Sequence, residues 1–360
     1  MKSLWLAGGL LAVAQAADGP VTITSFDMFN EAGQYYRAYA ADTATDVSGL
    51  TGSPGPDQQV WSFATGPEDD VFRFDYLNPS AAGDIAALFP LAQLVERKTE
   101  ESDGGIAMMF LDQQAGRGRV NFGFWDPATV QAGFDDPSGI FDPPLLDFPE
   151  SITLGSSWNA TGTFLNSTLT VPTRVIYSAT AGADAWGIVT LPKLGFVDCI
   201  RVNELAEYTI QVDLNFGIDP ETGEPVEGGN YETLAVYYVR TLYWMAKGKG
   251  IVVQITSQES ATPPPDSFSS AAQFVRMFET NHPKGSTDPL PVTDLRVDRN
   301  DDRVLLSWTK PLNASSFRVE YAARLGFSAI WETLTTTTSN FALDTIPRTG
   351  NRLYRVVSLP

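Results

Sequence analysis

Histidine and cysteine, the residue types most often used for proton transfer and thiol chemistry, each occur once in this chain of 360 residues, as His282 and Cys199. Ser-His-Asp and Cys-His catalysis both need a histidine that the fold holds in place, whereas His282 stands in a proline-rich segment that we expect to be a linker. Cys199 has Val197 and Ile200 beside it, so we expect a small buried hydrophobe on a strand and not a reactive thiol. The sequence therefore argues against a histidine-dependent hydrolase, a His/Cys zinc site and an intrachain disulfide.

Paired carboxylates are the next candidates for chemistry, because a glycoside hydrolase needs two acids across a cleft. Three acidic doublets stand in predicted turns, where such charges are usually solvated: Asp69/Asp70, Glu100/Glu101 and Asp135/Asp136. The oxygen-rich stretches 219–227 and 298–302 lack the spacing of an EF-hand, and a hairpin turn explains the second. We predict no catalytic residue, no cofactor and no metal-site residue; a structural Ca²⁺ bound by loop oxygens stays an open alternative.

Aromatic side chains give the only candidates for ligand binding. A tryptophan on a strand usually belongs to the core, but Trp158 stands in a turn rich in glycine, serine and asparagine, and Trp244 ends a strand. These two rings are therefore the candidates for exposed tryptophans that stack on a sugar. Two aromatic faces, Phe72/Phe74/Tyr76 and Tyr238/Leu242/Trp244, are compatible either with a filled core or with the wall of a cavity.

The charge balance and the first residues restrict the partners and the compartment. With 43 acidic against 24 basic residues the formal net charge is −19, and such a surface repels nucleic acid and anionic membranes. Lys2, the apolar run 4–13 and Ala14-Gln15-Ala16 have the pattern of a secretory signal peptide over residues 1–16. No other apolar run approaches the roughly 18 residues of a membrane helix. We expect an exported protein, extracellular, at the cell surface or periplasmic, without a membrane span.

Strand patterns dominate residues 17–281. Val71–Leu77 alternates apolar and polar side chains, and 106–112 and 120–125 flank a glycine-rich hairpin turn. Residues 185–202 predict two strands joined at Pro192 and Gly195, with Trp186, Ile188 and Thr190 on one face. We predict an all-β protein whose large antiparallel domain is a half-barrel, a barrel or a sandwich.

Two segments are harder to interpret. Residues 84–88 predict one helical turn before Pro90, and we interpret 267–278 as the last strand of the large domain, although its spacing also fits a helix. Residues 282–291 are rich in proline and predict a linker to a small domain at 292–360.

The small domain resembles a fibronectin type III domain. Its Leu-Ser-Trp308 matches the tryptophan of that family's second strand, and Tyr354-Arg-Val356 matches its Tyr-x-Val strand. The resemblance implies a small β-sandwich. The chain departs from the family at Pro360, which precedes the expected final strand, so we expect an incomplete sandwich or an edge covered by the first domain.

Residues 60–257 resemble a family of exported bacterial β-proteins of unknown function. The matching elements are Phe89-Pro-Leu-Ala92, Gly155-Ser-Ser-Trp158, Trp186-Gly-Ile-Val-Thr-Leu-Pro192, Gly195 with Arg201, and Tyr243-Trp244. The chain departs from the pattern in a turn that is one residue longer and in the missing spacer of Tyr243-Trp244. The matched residues are packing residues, so the resemblance implies an architecture and no activity.

Two functional hypotheses from different classes follow. The first is a non-catalytic exported binding or surface protein whose partner is a glycan, a protein or an apolar ligand. The second is an exported carrier that holds an apolar ligand in an incompletely closed barrel. A carboxylate-based glycoside hydrolase ranks third.

Overall fold

The computed structural model describes residues 19–359 except 42, 132–135, 166–170, 222, 224, 283–291, 293–294, 301–302, 311–313, 315, 323–330 and 346–351. These residues form two units, one over residues 19–282 and one over 292–359. Both units consist almost entirely of β-strands, which confirms the predicted all-β class. The predicted signal peptide at 1–16 and nearly all of the predicted linker lie outside the described residues.

The larger unit has eighteen strands: β1 Ile23–Thr24, β2 Tyr35–Ala41, β3 Thr45–Asp46, β4 Gln58–Ser62, β5 Asp70–Leu77, β6 Leu94–Glu100, β7 Ile106–Gln114, β8 Gly118–Trp125, β9 Ser138–Pro149, β10 Ser151–Ile152, β11 Ser157–Leu165, β12 Thr173–Leu191, β13 Gly195–Asp213, β14 Gly217–Ile218, β15 Pro225–Val226, β16 Tyr231–Ala246, β17 Gly250–Ser257 and β18 Ser270–Thr280. Its helices are short: two 3₁₀ helices, Ser25–Asp27 and Pro79–Leu88, and one α-helix, Ala128–Gln131. Among the described residues, none of the helices has the length and apolar character needed to cross a membrane.

Twelve of these strands close into an antiparallel barrel. Their order is β11-β9-β8-β7-β6-β5-β2-β18-β17-β16-β13-β12, and β11 pairs with β12 as well, which completes the ring. Thr163 of β11 pairs with Asp142 of β9 on one side, and Gly162 pairs with Tyr177 of β12 on the other. Closure removes the free sheet edges that would otherwise invite association. The incompletely closed barrel of the carrier hypothesis is therefore a closed one.

The alternation in the sequence sets which side chains enter the barrel. On β5, Phe72, Phe74 and Tyr76 are buried and face the lumen, while the residues between them are less buried. β12 and β13 form the predicted hairpin around Pro192, and its turn places Lys193 at φ 58° and Gly195 at φ 73°, left-handed values that glycine adopts without strain. The first of the two predicted strands in 185–202 is the end of a longer strand, because β12 runs from Thr173 to Leu191 with a bulge at Asp184.

A second layer covers part of the outer wall of the barrel. Arg201 of β13 is fully buried there, and its guanidinium donates to both carboxylate oxygens of Asp184, at 2.8 and 2.9 Å, and to the carbonyl oxygen of Thr51. Arg276 of β18, also fully buried, donates to the carbonyl oxygen of Phe63 at 2.9 Å. These two arginines hold the segment around β4 against the wall, where β4 adds to β12 in parallel.

The two ambiguous segments now have definite structures. The prediction of a last strand over 267–278 is confirmed as β18, and the predicted turn at 84–88 belongs to the 3₁₀ segment Pro79–Leu88, interrupted at Gly83. The linker prediction is wrong for His282. Its ring is 5 % exposed, lies 4.8 Å from the ring of Phe29 and contacts the side-chain amide of Gln34 through Nδ1 at 2.8 Å. His282 therefore belongs to the interior of the larger unit, and its burial there lowers its pKa.

The smaller unit has six strands: β19 Arg296–Asn300, β20 Arg303–Ser307, β21 Ser316–Ala322, β22 Glu332–Thr337, β23 Phe341–Asp344 and β24 Leu353–Leu359. They form two antiparallel sheets, β19-β20-β23 and β22-β21-β24. The sheets share one core in which Trp308 packs edge-on against Phe317, with ring centroids 5.2 Å apart. Asn300 pairs with Arg303, so the predicted hairpin at 298–302 is confirmed by its flanking strands.

Candidate ligand-binding site in the barrel lumen

The lumen of the barrel contains a cavity of about 560 Å³, lined by side chains from all twelve strands of the ring. This volume lies within the range of sites that hold small molecules. A barrel of eight strands is just wide enough to be filled by its own side chains, and the diameter grows with strand number. Twelve strands therefore leave space that the inward side chains of this chain do not fill.

Small side chains occupy neighbouring inward positions on one side of the barrel, and one of them, Ala160, lines the cavity. Ala160 of β11 pairs with Ala179 of β12, which pairs in turn with Ala206 of β13. All three are buried on the inner wall with Phe141 and Phe164. Alanine at three neighbouring inward positions leaves the wall flat where larger residues would project into the lumen.

Aromatic rings form a large part of the wall and hold one another in place. Tyr76 stacks on Phe29 with centroids 4.8 Å apart, and Tyr36 stacks on Phe74 at 4.3 Å. On the opposite side Tyr177 meets Tyr208 edge to face at 5.2 Å. Such contacts fix ring orientation and add to the burial of apolar area, so the wall is a preformed surface.

Glu204 of β13 introduces a carboxylate into this aromatic wall. Its Oε1 accepts hydrogen bonds from the hydroxyls of Tyr177, at 3.3 Å, and Tyr243, at 3.4 Å. Burial raises the pKa of Glu204 to about 7, the negative charge of Asp147 adds to the rise, and the two tyrosine hydrogen bonds oppose it. Part of the Glu204 surface stays accessible although the residue lies inside the barrel, because that part faces the cavity.

A second cluster of polar side chains lines the cavity on β6, β8 and β9. Nε of Arg119 on β8 lies 2.6 Å from Oδ2 of Asp147 on β9, and the hydroxyl of Tyr76 donates to Glu96 on β6. Burial raises the pKa of Glu96, while the positive charge of Arg119 and the hydrogen bond from Tyr76 lower it. Arg119 thus compensates two carboxylates at once.

The two predicted ligand-binding tryptophans are buried, so the prediction of exposed rings is wrong for both. Trp158 is 8 % exposed, and its indole N–H donates to the carbonyl oxygen of Asp147 at 3.1 Å. Trp244 is fully buried under the outer layer, edge-on to Phe63 at 4.8 Å. Trp158 helps to position the Asp147 segment, and neither ring is presented to a sugar.

The other residues that the sequence offered as candidates for chemistry lie away from the cavity. Cys199 is fully buried, as predicted, and its pKa is raised by burial. Asp70 accepts a hydrogen bond from Ser102, and Glu101 pairs with Arg37 at 2.6 Å. Asp135 lies outside the described residues. None of the described members of the three acidic doublets lines the lumen.

One of the two aromatic faces lines the cavity and the other does not. Phe72, Phe74 and Tyr76 line it, whereas Leu242 and Trp244 point to the outer layer and their neighbour Tyr243 faces the lumen. Both faces of β16 are covered near its end, at 241–246, so the sequence alone did not distinguish them.

Sequence reasoning missed the four charged residues that define the site: Glu96, Arg119, Asp147 and Glu204. A signal was present on β13, where Glu204 interrupts the inward series Ile200, Val202, Ala206 and Tyr208. A single charge within an apolar face of a strand marks a position that is either paired or functional.

Across the described part of the chain, no group of three or more histidine, cysteine, aspartate or glutamate side chains is placed to hold a metal ion. No protein-family model, no curated protein and no solved structure matches this chain. Its function must be inferred from the cavity itself.

Proposed function

We propose that this protein is a non-catalytic binding protein that carries a small ligand with an apolar body in the lumen of its barrel. The cavity of about 560 Å³ with an aromatic wall is the observation that supports this proposal. Pockets that bind small molecules combine a mostly apolar wall with a few polar groups that orient the ligand. Glu204, Tyr177 and Tyr243 are groups of that kind.

Probe binding and cavity filling test the proposal. The neutral fluorophore N-phenyl-1-naphthylamine should bind the wild-type protein saturably, with one site per chain. Ala160→Phe places a ring in the cavity, and its matched control Thr161→Phe places the same ring on the exposed side of the same strand. Because a filled site excludes the probe, we expect Ala160→Phe to weaken binding by about tenfold or more, and Thr161→Phe to leave it unchanged.

Met109→Trp, at a lining position on β7, gives a second filling variant if Ala160→Phe does not fold. Absence of saturable binding to the wild type, or equal binding by the filled and control variants, would contradict the proposal. Native mass spectrometry of protein isolated from its own host, followed by solvent extraction, then identifies the natural ligand as a discrete added mass.

We also propose that the carrier is exported and that its smaller unit is a fibronectin type III-like module. The pattern of residues 1–16 supports export. The sheet orders β19-β20-β23 and β22-β21-β24, together with the positions of Trp308 and Tyr354, support the module. Amino-terminal sequencing of the protein from its host tests export, and an experimental structure of the full chain tests the module.

A further inference from the structure

We infer that the ligand of the barrel carries a cationic amine and that Glu204 is the residue that binds it. The inference rests on the proposed function, because it assigns the polar end of the molecule that the lumen holds. It follows from the charges that line the cavity, from the hydrogen bonds of Glu204 and from the rings around it.

The charges of the cavity wall are unequally compensated. Asp147 has an ion pair with Arg119 at 2.6 Å, and Glu96 has the hydroxyl of Tyr76 and the positive charge of Arg119. Asp126, just after β8, accepts a hydrogen bond from the backbone N–H of Ala128 at 2.9 Å. Lys98, the other cation of the wall, has its Nζ 4.1 Å from the ring centroid of Phe72. Within the described residues no lysine, arginine or histidine forms an ion pair with Glu204. A buried carboxylate of this kind requires either a proton or a cation.

The hydrogen bonds of Glu204 leave one oxygen available. Tyr177 and Tyr243 both donate to Oε1, and no side chain or backbone group of the described residues donates to Oε2. A carboxylate oxygen accepts a charge-assisted hydrogen bond from an ammonium group more strongly than from a neutral donor. The free oxygen therefore favours a protonated amine over an alcohol or an amide.

The rings beside Glu204 favour the same chemistry. Tyr177, Tyr208 and Tyr243 line the cavity around the carboxylate. An ammonium group is attracted to the faces of aromatic rings, and more strongly where water is displaced. Burial holds the pKa of Glu204 at about 7 in the free protein, and a bound cation lowers it by stabilising the ionised form.

A ligand with an anionic head fits the cavity poorly. It would meet the negative charges of Glu204 and Asp147. Of the two cations among the described lining residues, Arg119 is already paired with Asp147, and Nζ of Lys98 lies over the ring of Phe72. A neutral ligand leaves Glu204 to be neutralised by a proton. An apolar body with an ammonium end matches both the aromatic wall and the carboxylate.

Three probes of equal chain length separate these cases. Dodecylammonium, dodecanol and dodecanoate are titrated below micelle-forming concentrations by isothermal calorimetry, at about pH 8, where an alkylamine is protonated and Glu204 is ionised. We expect dodecylammonium to bind about tenfold or more tightly than dodecanol, and dodecanoate to bind weakest. Glu204→Gln should abolish the preference for the amine, so that dodecylammonium binds no more tightly than dodecanol. The matched control Glu232→Gln, at an exposed position on β16, should keep the preference.

Each outcome decides one of the two proposals. Binding of none of the three probes would remove the proposed carrier function. Binding of dodecanol or dodecanoate as tightly as the amine, or a preference that survives Glu204→Gln, would overturn the amine inference and leave the carrier. If Glu204→Gln does not fold, the wild type gives the answer, because amine affinity must fall as the pH drops below about 7 while dodecanol affinity stays constant.

Discussion

The hydroxyls of Tyr177 and Tyr243 converge from the two strands that flank β13 on one oxygen of the residue between them, Oε1 of Glu204. The distances are 3.3 and 3.4 Å. Because β12, β13 and β16 are consecutive strands of the ring, this arrangement depends only on the registers of two neighbouring ladders. The polar end of the cavity is therefore part of the barrel wall and not of a loop. Strands hold the side chains of a site more precisely than loops do.

Removing the two hydroxyls should raise the pKa of Glu204 further. In the double variant Tyr177→Phe/Tyr243→Phe the ionised carboxylate loses both hydrogen bonds that lower its pKa, while burial is unchanged. Carbon-13 NMR titration of labelled glutamate checks the shift. Tyr238→Phe, a tyrosine on the outer side of β16, is the control and should leave the value near 7. A fall in the pKa of the double variant would contradict the geometry.

The stability of the protein should depend on pH through Glu204. Its folded-state pKa, about 7, lies above its ordinary value of 4.5, so the folded state binds the proton more tightly than the unfolded state. The free energy of unfolding therefore falls as the pH rises from about 4.5 to 7, by about 3 kcal/mol at most. Urea unfolding of the wild type and of Glu204→Gln, at several pH values, isolates this contribution. The difference between the two proteins should grow in favour of the variant up to about pH 7 and then level off; a difference independent of pH would refute the assignment.

Removing the buried guanidinium of Arg201 on the outer wall should lower the free energy of unfolding. Arg201→Ala leaves the carboxylate of Asp184 and the carbonyl of Thr51 without their buried partner, and breaking a buried pair in this way typically costs about 3–5 kcal/mol. Chemical denaturation gives the value. The exposed Arg117 offers a control substitution, Arg117→Ala, that should change the free energy of unfolding by about 0.5 kcal/mol or less.

The single thiol should be unreactive in the folded protein. Cys199 is fully buried and burial raises its pKa, so little thiolate forms and reagents cannot reach it. Ellman's reagent should modify it at a rate limited by opening of the structure and should react at once in denaturant. Rapid modification of the native protein would show that the outer layer over β13 is open in solution.

Local sequence patterns were enough to predict most strands. They did not predict that the strands close into a barrel. Alternation along Phe72, Phe74 and Tyr76 reports which face of one strand is buried, and that was predicted. The pairing of β11 with both β9 and β12 joins segments through contacts that no local pattern encodes. The choice between half-barrel, barrel and sandwich therefore could not be made from the sequence.

The candidate site was missed for a related reason. Trp244 was expected to be exposed because it ends a strand, yet the segment around β4, far away in sequence, covers it. Glu96 and Lys98 alternate on β6 as a solvated face would, and only the ring of twelve strands turns that face inward. Charged side chains recur at every second residue of a strand whether their face points into the lumen or into solvent, so the sequence pattern does not tell the two cases apart.

The ring also has one join that is weaker than the others. The ladder between β12 and β13 runs from Thr173 to Leu191, whereas β11 meets β9 through the single pair Thr163 and Asp142. Thermal opening of a closed sheet concentrates where the fewest backbone bonds must break. The side chains behind this join, Phe141, Ala160 and Phe164, line the cavity, so we expect opening of the barrel at this join to connect the cavity with the surface.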